Sequence, residues 1–135
     1  PVWWQHATPA LAQWLRFHTG APQAGAARDA AFAVVTDARR MPALGTFAAG
    51  SLASPEFSTT LIVEVPSLTG GDPVQARGPG IRDAEALRIA GLPADFWAQW
   101  NDNHAAFPQG VDALFTCGGQ VIGLPRTTRV QRQEA

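Results

Sequence analysis

Lysine is absent from the 135 residues, and all ten basic side chains are arginines. That excludes a Schiff-base nucleophile, the lysine of a phosphate-binding P-loop and a covalent anchor for pyridoxal phosphate. Cysteine is nearly absent as well. Cys117 alone cannot form a disulfide within the chain, which points to a reducing compartment and an expected cytoplasmic location. No uncharged apolar run approaches the roughly 18 residues that a spanning helix needs, so no membrane is expected. An excess of one charge is also lacking. Ten cations against eleven acids leave a formal net charge of −1, which gives no global attraction to nucleic acid or anionic lipid. Hydrophobic residues make up 46% and charged ones 16%. That balance excludes a disordered or fibrous chain and fits a single domain over 1–135 with its own core.

The chain opens Pro1-Val2-Trp3-Trp4, with neither an initiator methionine nor the basic-then-apolar pattern of a signal peptide. It reads as the interior of a longer protein, entered just before a strand. Val2 to Trp4 is that strand, and a helix follows with Thr8 as N-cap and Pro9 at its first position. Leu11, Trp14, Leu15 and His18 recur at helical spacing and define one core-facing stripe, with Gly20 as the left-handed residue beyond the last turn. Phe32 to Thr36 is a second strand closed by Asp37, and Met41 to Glu56 is irregular with one short helical turn. In the strand Thr59 to Val65, Leu61-Ile62-Val63 run without alternation, as expected of a strand covered on both faces.

Beyond the turn Gly70-Gly71-Asp72, Val74 to Arg77 is expected to return antiparallel to it. Asp83 to Ala90 is expected as a short helix. A clearer helix begins near Pro93, with Phe96, Trp97, Trp100 and His104 along one side. Only three positions separate Trp97 from Trp100, so they lie about 60° apart on that helix. Either both are core, or one covers the sheet while the other faces a neighbouring subunit. Val111 to Thr116 and Val121 to Leu124, joined by Gly118-Gly119, read as a hairpin. The tail from Thr127 to Ala135 is polar. Strands alternating with helices, then a hairpin, predict an α/β fold with a mixed sheet.

Self-contained catalytic patterns are missing. His6, His18, His104 and Cys117 are scattered rather than at metal-ligand spacing, so no metal is expected. Gly78-Pro79-Gly80 supplies two glycines of a dinucleotide fingerprint, but Asp83 stands where the third belongs, and a turn is the better reading. No serine has a nucleophile-elbow context. Asp102 and Asp112 are expected as surface or capping groups. Arginine is more suggestive. Arg16 lies about 140° from Leu11 on a regular helix, off the apolar stripe. Arg126-Thr127-Thr128-Arg129 brings two guanidiniums and two hydroxyls within four residues, a grouping able to hold an oxyanion. Two readings stand: a solvated, partner-facing tail, or an anion site.

Several segments are distinctive in combination. They are Leu15-Arg16-Phe17-His18-Thr19-Gly20-Ala21-Pro22, Phe32-Ala33-Val34-Val35-Thr36-Asp37, Phe107-Pro108-Gln109-Gly110-Val111-Asp112 and Pro125-Arg126-Thr127-Thr128. With these, the chain resembles the PhnH family, a subunit of the bacterial carbon–phosphorus lyase core complex, over essentially its full length. Family members carry roughly sixty further residues before this point, so the resemblance implies a missing opening helix and strands. It also implies a three-layer αβα fold like the large domain of pyridoxal-phosphate-dependent transferases, without the cofactor. By the same resemblance, the protein forms a homodimer and sits with PhnG-, PhnI- and PhnJ-like subunits. That assembly joins a phosphonate to the ribose C1 of ATP with release of adenine, after which a radical subunit breaks the carbon–phosphorus bond. The implied role is an accessory subunit with no catalytic residue of its own and no cofactor. The alternative is a phosphate- or nucleotide-binding or catalytic contributor at a subunit interface, using Arg16, His18, Arg126 and Thr127 around a phosphonate nucleotide.

Overall fold

The computed structural model describes residues 1–6 and 8–132. Its centre is a five-stranded sheet of β1 (Val2–Trp4), β2 (Phe32–Val35), β3 (Thr60–Glu64), β6 (Asp112–Cys117) and β7 (Gln120–Leu124), in that spatial order. The first four run parallel and β7 returns antiparallel to β6, so the sheet is mixed, as expected for α/β. The hairpin turns through Gly118 at φ 59°, the left-handed value the Gly-Gly pair permits without strain. A second sheet of three antiparallel strands holds β4 (Val74–Arg77) between β5 (Glu85–Leu87) and β8 (Arg129–Arg132).

Register determines which residues meet the core. Ala33, Val35, Leu61, Val63, Ala113, Phe115 and Leu124 fall on one face of the large sheet and are fully or almost fully buried. Against this face lies α2 (Phe96–Ala105), whose Phe96, Trp97 and Trp100 are also buried. Phe96 meets Phe115 edge-on at 5.8 Å between centroids and stacks on Trp100 at 6.3 Å. Both tryptophans of this helix are therefore core. The small sheet adds Val74, Ala76, Leu87 and Val130 to the same cluster, and the irregular segment adds Leu44 and Phe47. Side chains tie its loops. Thr59 Oγ1, wholly buried, donates to the Ala30 carbonyl at 2.7 Å, and Asn103 bridges the N–H and carbonyl of Val111 at 2.8 and 3.0 Å.

Several expectations change. Val74–Arg77 pairs with β5 and β8 rather than returning along β3. The segment expected as a helix after Asp83 is strand β5: buried Leu87 and Ile89 straddle exposed Arg88, a period of two that pairing with β4 rewards. The polar tail contains β8, with Val130 and Thr128 buried. Ile62 is only half-buried beside wholly buried Leu61 and Val63, so β3 is tightly covered on one face alone. The irregular segment carries three-residue 3-10 turns at Leu44–Thr46 and Pro55–Phe57, and another, Ala38–Arg40, directly follows β2.

The largest correction concerns α1 (Pro9–Thr19). Its ends behave as expected, with Pro9 at the first position and Gly20 left-handed at φ 74°, although the Thr8 hydroxyl makes no cap hydrogen bond. Its stripe does not face the core. Ala12 is the buried position and Leu15 is half-buried, whereas Leu11, Trp14 and His18 are exposed. The small side chain of Ala12 is the one that this helix buries, and the bulky apolar side chains beside it lie in water. Among the described residues, no helix is long and apolar enough to cross a membrane.

Candidate interaction face and the arginine sites

The sequence singles out Arg16, His18, Arg126 and Thr127, and the structure does not gather them. Arg16 and His18 sit exposed near the C-terminus of α1, which follows the edge strand β1. Arg126 and Thr127 follow β7, the strand at the opposite edge. Four inter-strand steps of about 4.8 Å separate those edges. No hydrogen bond or ion pair among the described residues joins the two pairs.

Arg126 is built into the protein. Its side chain is 13% exposed and forms a two-pronged pair with Asp112: Nε donates to Oδ1 at 3.1 Å and Nη2 to Oδ2 at 2.7 Å. Nη1 donates to the carbonyls of Pro55 and Pro108 at 3.0 and 3.3 Å, and Nη2 also to Ser58 Oγ at 2.5 Å. A guanidinium has five N–H donors, and here each has a partner. The Arg126 backbone N–H adds a further bond to Asp112 Oδ1 at 2.8 Å, and its carbonyl accepts from His104 Nδ1 at 3.0 Å. One side chain thus clamps β6, the loop before β3 and the turn entering β6.

Asp112 is correspondingly more than the surface or capping group expected. Burial pushes its carboxyl up, but the Arg126 side-chain hydrogen bonds, backbone N–H and positive charge outweigh this and hold it below the ordinary carboxylate value. Thr127 is half-buried, while the next residue, Thr128, accepts the Trp100 indole N–H on its carbonyl at 2.9 Å. The described geometry makes Arg126 to Thr128 a latch joining the hairpin, α2 and β8.

What the molecule leaves open is apolar. On the face of the large sheet opposite α2, Phe32 is 47% exposed, Leu114 36% and Val121 60%, with Val34 and Ile62 half-buried between them. On α1, Leu11 and Trp14 are more than half exposed and Phe17 is 85% exposed. Trp14 and Phe17 both pack on the His18 ring, with centroids at 4.4 and 5.1 Å, so the imidazole is a spacer within an aromatic cluster. Exposed apolar patches on folded chains are a common feature of binding surfaces, and aromatic side chains are enriched at protein–protein contacts. Sequence periodicity finds this stripe but assigns it to the wrong side, because it cannot tell a core-facing stripe from an exposed one. Among the described residues, no group of three or more His, Cys, Asp or Glu is placed to hold a metal ion.

Residues 1–131 match the family model described as "Bacterial phosphonate metabolism protein (PhnH)". The chain belongs to the PhnH family. It is 39% identical over 138 aligned residues to the "Alpha-D-ribose 1-methylphosphonate 5-triphosphate synthase subunit PhnH" of Rhizobium meliloti, covering 98% of this chain and 68% of that protein. It is 35% identical over 86 residues to the "Putative C-P lyase subunit protein HtxG" of Stutzerimonas stutzeri, covering 64% of this chain and 44% of that one. Both relatives are named as subunits, one of a synthase and one of a C-P lyase. A PhnH chain with an apolar face and an internally satisfied arginine latch is consistent with a part that works inside an assembly.

Proposed function

We propose that this chain is an accessory subunit of the carbon–phosphorus lyase core assembly and acts by association. In that assembly, a phosphonate is joined to the ribose C1 of ATP and adenine leaves, with PhnG-, PhnI- and PhnJ-like subunits as partners and with self-association of this subunit. The observation that carries the reading is the apolar surface of α1 and the open sheet face in a chain that matches the PhnH family along nearly its whole length. Burying Phe32, Leu114 and Val121 removes apolar surface from water at about 25 cal/mol per Å², a contribution that favours docking. A layer laid over that face completes a three-layer αβα architecture of the kind found in the large domain of pyridoxal-phosphate transferases. The cytoplasm, where ATP and reduced thiols coexist, is the compartment that suits this role. The reading assigns no ligand to Arg126, whose donors are all engaged by its own chain.

Reconstitution tests it. Adenine release from ATP plus methylphosphonate is expected when this subunit is mixed with PhnG-, PhnI- and PhnJ-like partners, and not from this chain alone. Leu114→Glu and Val121→Glu place a carboxylate on the open face at exposed positions and are expected to change stability by less than about 1 kcal/mol. Each is expected to abolish co-elution with the partners and the adenine release that depends on it. Leu52→Glu, on an exposed loop residue, serves as the control and keeps both. Full assembly by Leu114→Glu and Val121→Glu, or turnover by the isolated chain at the rate of the mixture, rejects the proposal.

A further inference from the structure

The arginines that the sequence patterns passed over are gathered at a different place. A cleft of about 790 Å³ opens where the small sheet, α2 and the turn after β2 meet. Arg88 follows β5 and Arg132 ends β8. The ladder sets Val74 of β4 opposite both Leu87 and Arg132, so these two arginines approach the same end of the small sheet from its two outer strands. Arg39, in the 3-10 turn that follows β2, lines the same cleft. Among the lining residues three are cationic and one, Asp72, is acidic. Arg132 is anchored through Nη2 to the Ala94 carbonyl at 2.8 Å. Among the described residues, the guanidiniums of Arg39 and Arg88 enter no ion pair and no hydrogen bond with this chain.

This is the opposite of the Arg126 arrangement. There, one guanidinium meets a carboxylate and has every donor satisfied. Here, a concave wall carries an excess of like charge, and the guanidiniums of Arg39 and Arg88 make no hydrogen bond among the described residues. Like charges around one cleft repel and raise the local potential, and an entering anion relieves this. The floor is apolar, with Ile89, Leu92 and the mostly buried Trp97. The loop geometry is fixed by close approach, since a Cβ on Gly91 (φ 80°) would lie 2.5 Å from Pro66 Cδ. A shallower depression continues from Arg39 and Gly91 past the C-terminal ends of β2 and β3. That is the side of a parallel sheet where α/β proteins hold ligands. The volume lies within the range of small-molecule sites.

We propose that this cleft binds a small organic polyanion carrying phosphate or phosphonate groups, held by Arg39, Arg88 and Arg132 with its non-ionic part on the Trp97 floor. The chemical class rests on the reading of this chain as a phosphonate-assembly subunit. The charge and shape of the cleft do not depend on that reading.

ATP without magnesium is the probe, with adenosine and inorganic phosphate as partial probes, titrated calorimetrically into the full chain. Saturable binding of ATP is expected, weakening as salt is raised, with adenosine and phosphate each binding at least tenfold more weakly. Arg39→Ala and Arg88→Ala remove exposed side chains whose guanidiniums make no hydrogen bond or ion pair among the described residues, so their melting temperatures without ligand are expected to stay at the wild-type value. Each is expected to weaken ATP at least tenfold, as loss of a charge-assisted contact does. Arg77→Ala, an exposed arginine on β4 outside the cleft, leaves binding unchanged. No ATP binding at millimolar concentration, equal binding by adenosine, or undiminished binding by the Arg39→Ala/Arg88→Ala double variant overturns the proposal. Co-elution of the same double variant with the partner subunits is measured separately, so a failure of the cleft is distinguished from a failure of the assembly role.

Discussion

Replacing Trp100 with alanine is expected to cost about 5 kcal/mol. Trp100 is wholly buried between Phe96 and the small sheet, and truncating an indole in a packed core costs about 3–5 kcal/mol through lost burial and the cavity left behind. The same change leaves the Thr128 carbonyl, on a residue 1% exposed, without the donor that reaches it at 2.9 Å. An orphaned buried acceptor adds about 1–3 kcal/mol. Domains of this size are stable by only about 5–15 kcal/mol, so Trp100→Ala sits at the edge of folding. Trp100→Phe keeps most of the volume and loses the hydrogen bond, and is expected to cost about 2 kcal/mol. Urea unfolding measures both. Hydrogen exchange adds a local readout: the amides of β8, which begins one residue after Thr128, are expected to lose protection in Trp100→Phe before the β3 and β6 amides do. A Trp100→Ala protein within 1 kcal/mol of wild type contradicts this account.

How much of this was legible in the sequence depends on whether the deciding interaction is local. Strands Val2–Trp4, Phe32–Val35 and Thr60–Glu64 and the Gly-Gly hairpin announce themselves through periodicity and turn chemistry and form within a residue of expectation, and helix Phe96–Ala105 begins three residues after the Pro93 expected to open it. The failures share one cause. Glu85–Leu87 and Arg129–Arg132 are short, carry few β-branched residues and exist because β4 lies between them, which no local window reveals. The stripe of α1 is legible but its direction is not, since an exposed and a core-facing stripe have the same period. The Arg126–Asp112 pair was closer to reach than it looked. With Gly118-Gly119 as a two-residue turn, Cys117 opposes Gln120 and Ala113 opposes Leu124. That register carries Asp112 to the level of the residues just beyond Leu124, where Arg126 stands. Counting outward from the turn finds the pair. Asking which residues cluster in sequence does not.

That pair also makes a pH-dependent prediction. Arg126→Met keeps an unbranched, apolar stem but strips Asp112, Ser58 and the Pro55 and Pro108 carbonyls of their common donor. Removing one partner of a buried ion pair costs about 3–5 kcal/mol. The Asp112 side chain is 34% exposed, so water screens part of the loss and about 3 kcal/mol at pH 7 is the expected value. The sign of the pH dependence follows from Asp112, whose carboxyl is held below its ordinary value in the folded protein and returns to about 3.9 when unfolded. A depressed carboxylate stabilises the fold fully above the unfolded value, and that contribution is lost as pH falls through the lower folded value. The gap between wild type and Arg126→Met should therefore be widest near neutral pH and narrow below about pH 4, where wild type gives up what the variant never had. Chemical unfolding from pH 7 down to pH 3 measures it. Asp112→Asn, which leaves the guanidinium buried opposite a neutral amide, should lose a comparable amount at pH 7 and show the same flattened acid limb. The double variant Arg126→Met/Asp112→Leu removes both charges together, and is expected to recover part of the loss because no buried charge is left alone. A gap between wild type and Arg126→Met that holds constant from pH 7 to pH 3 would mean that Arg126 stabilises the latch through its carbonyl and hydroxyl contacts, with the carboxylate incidental.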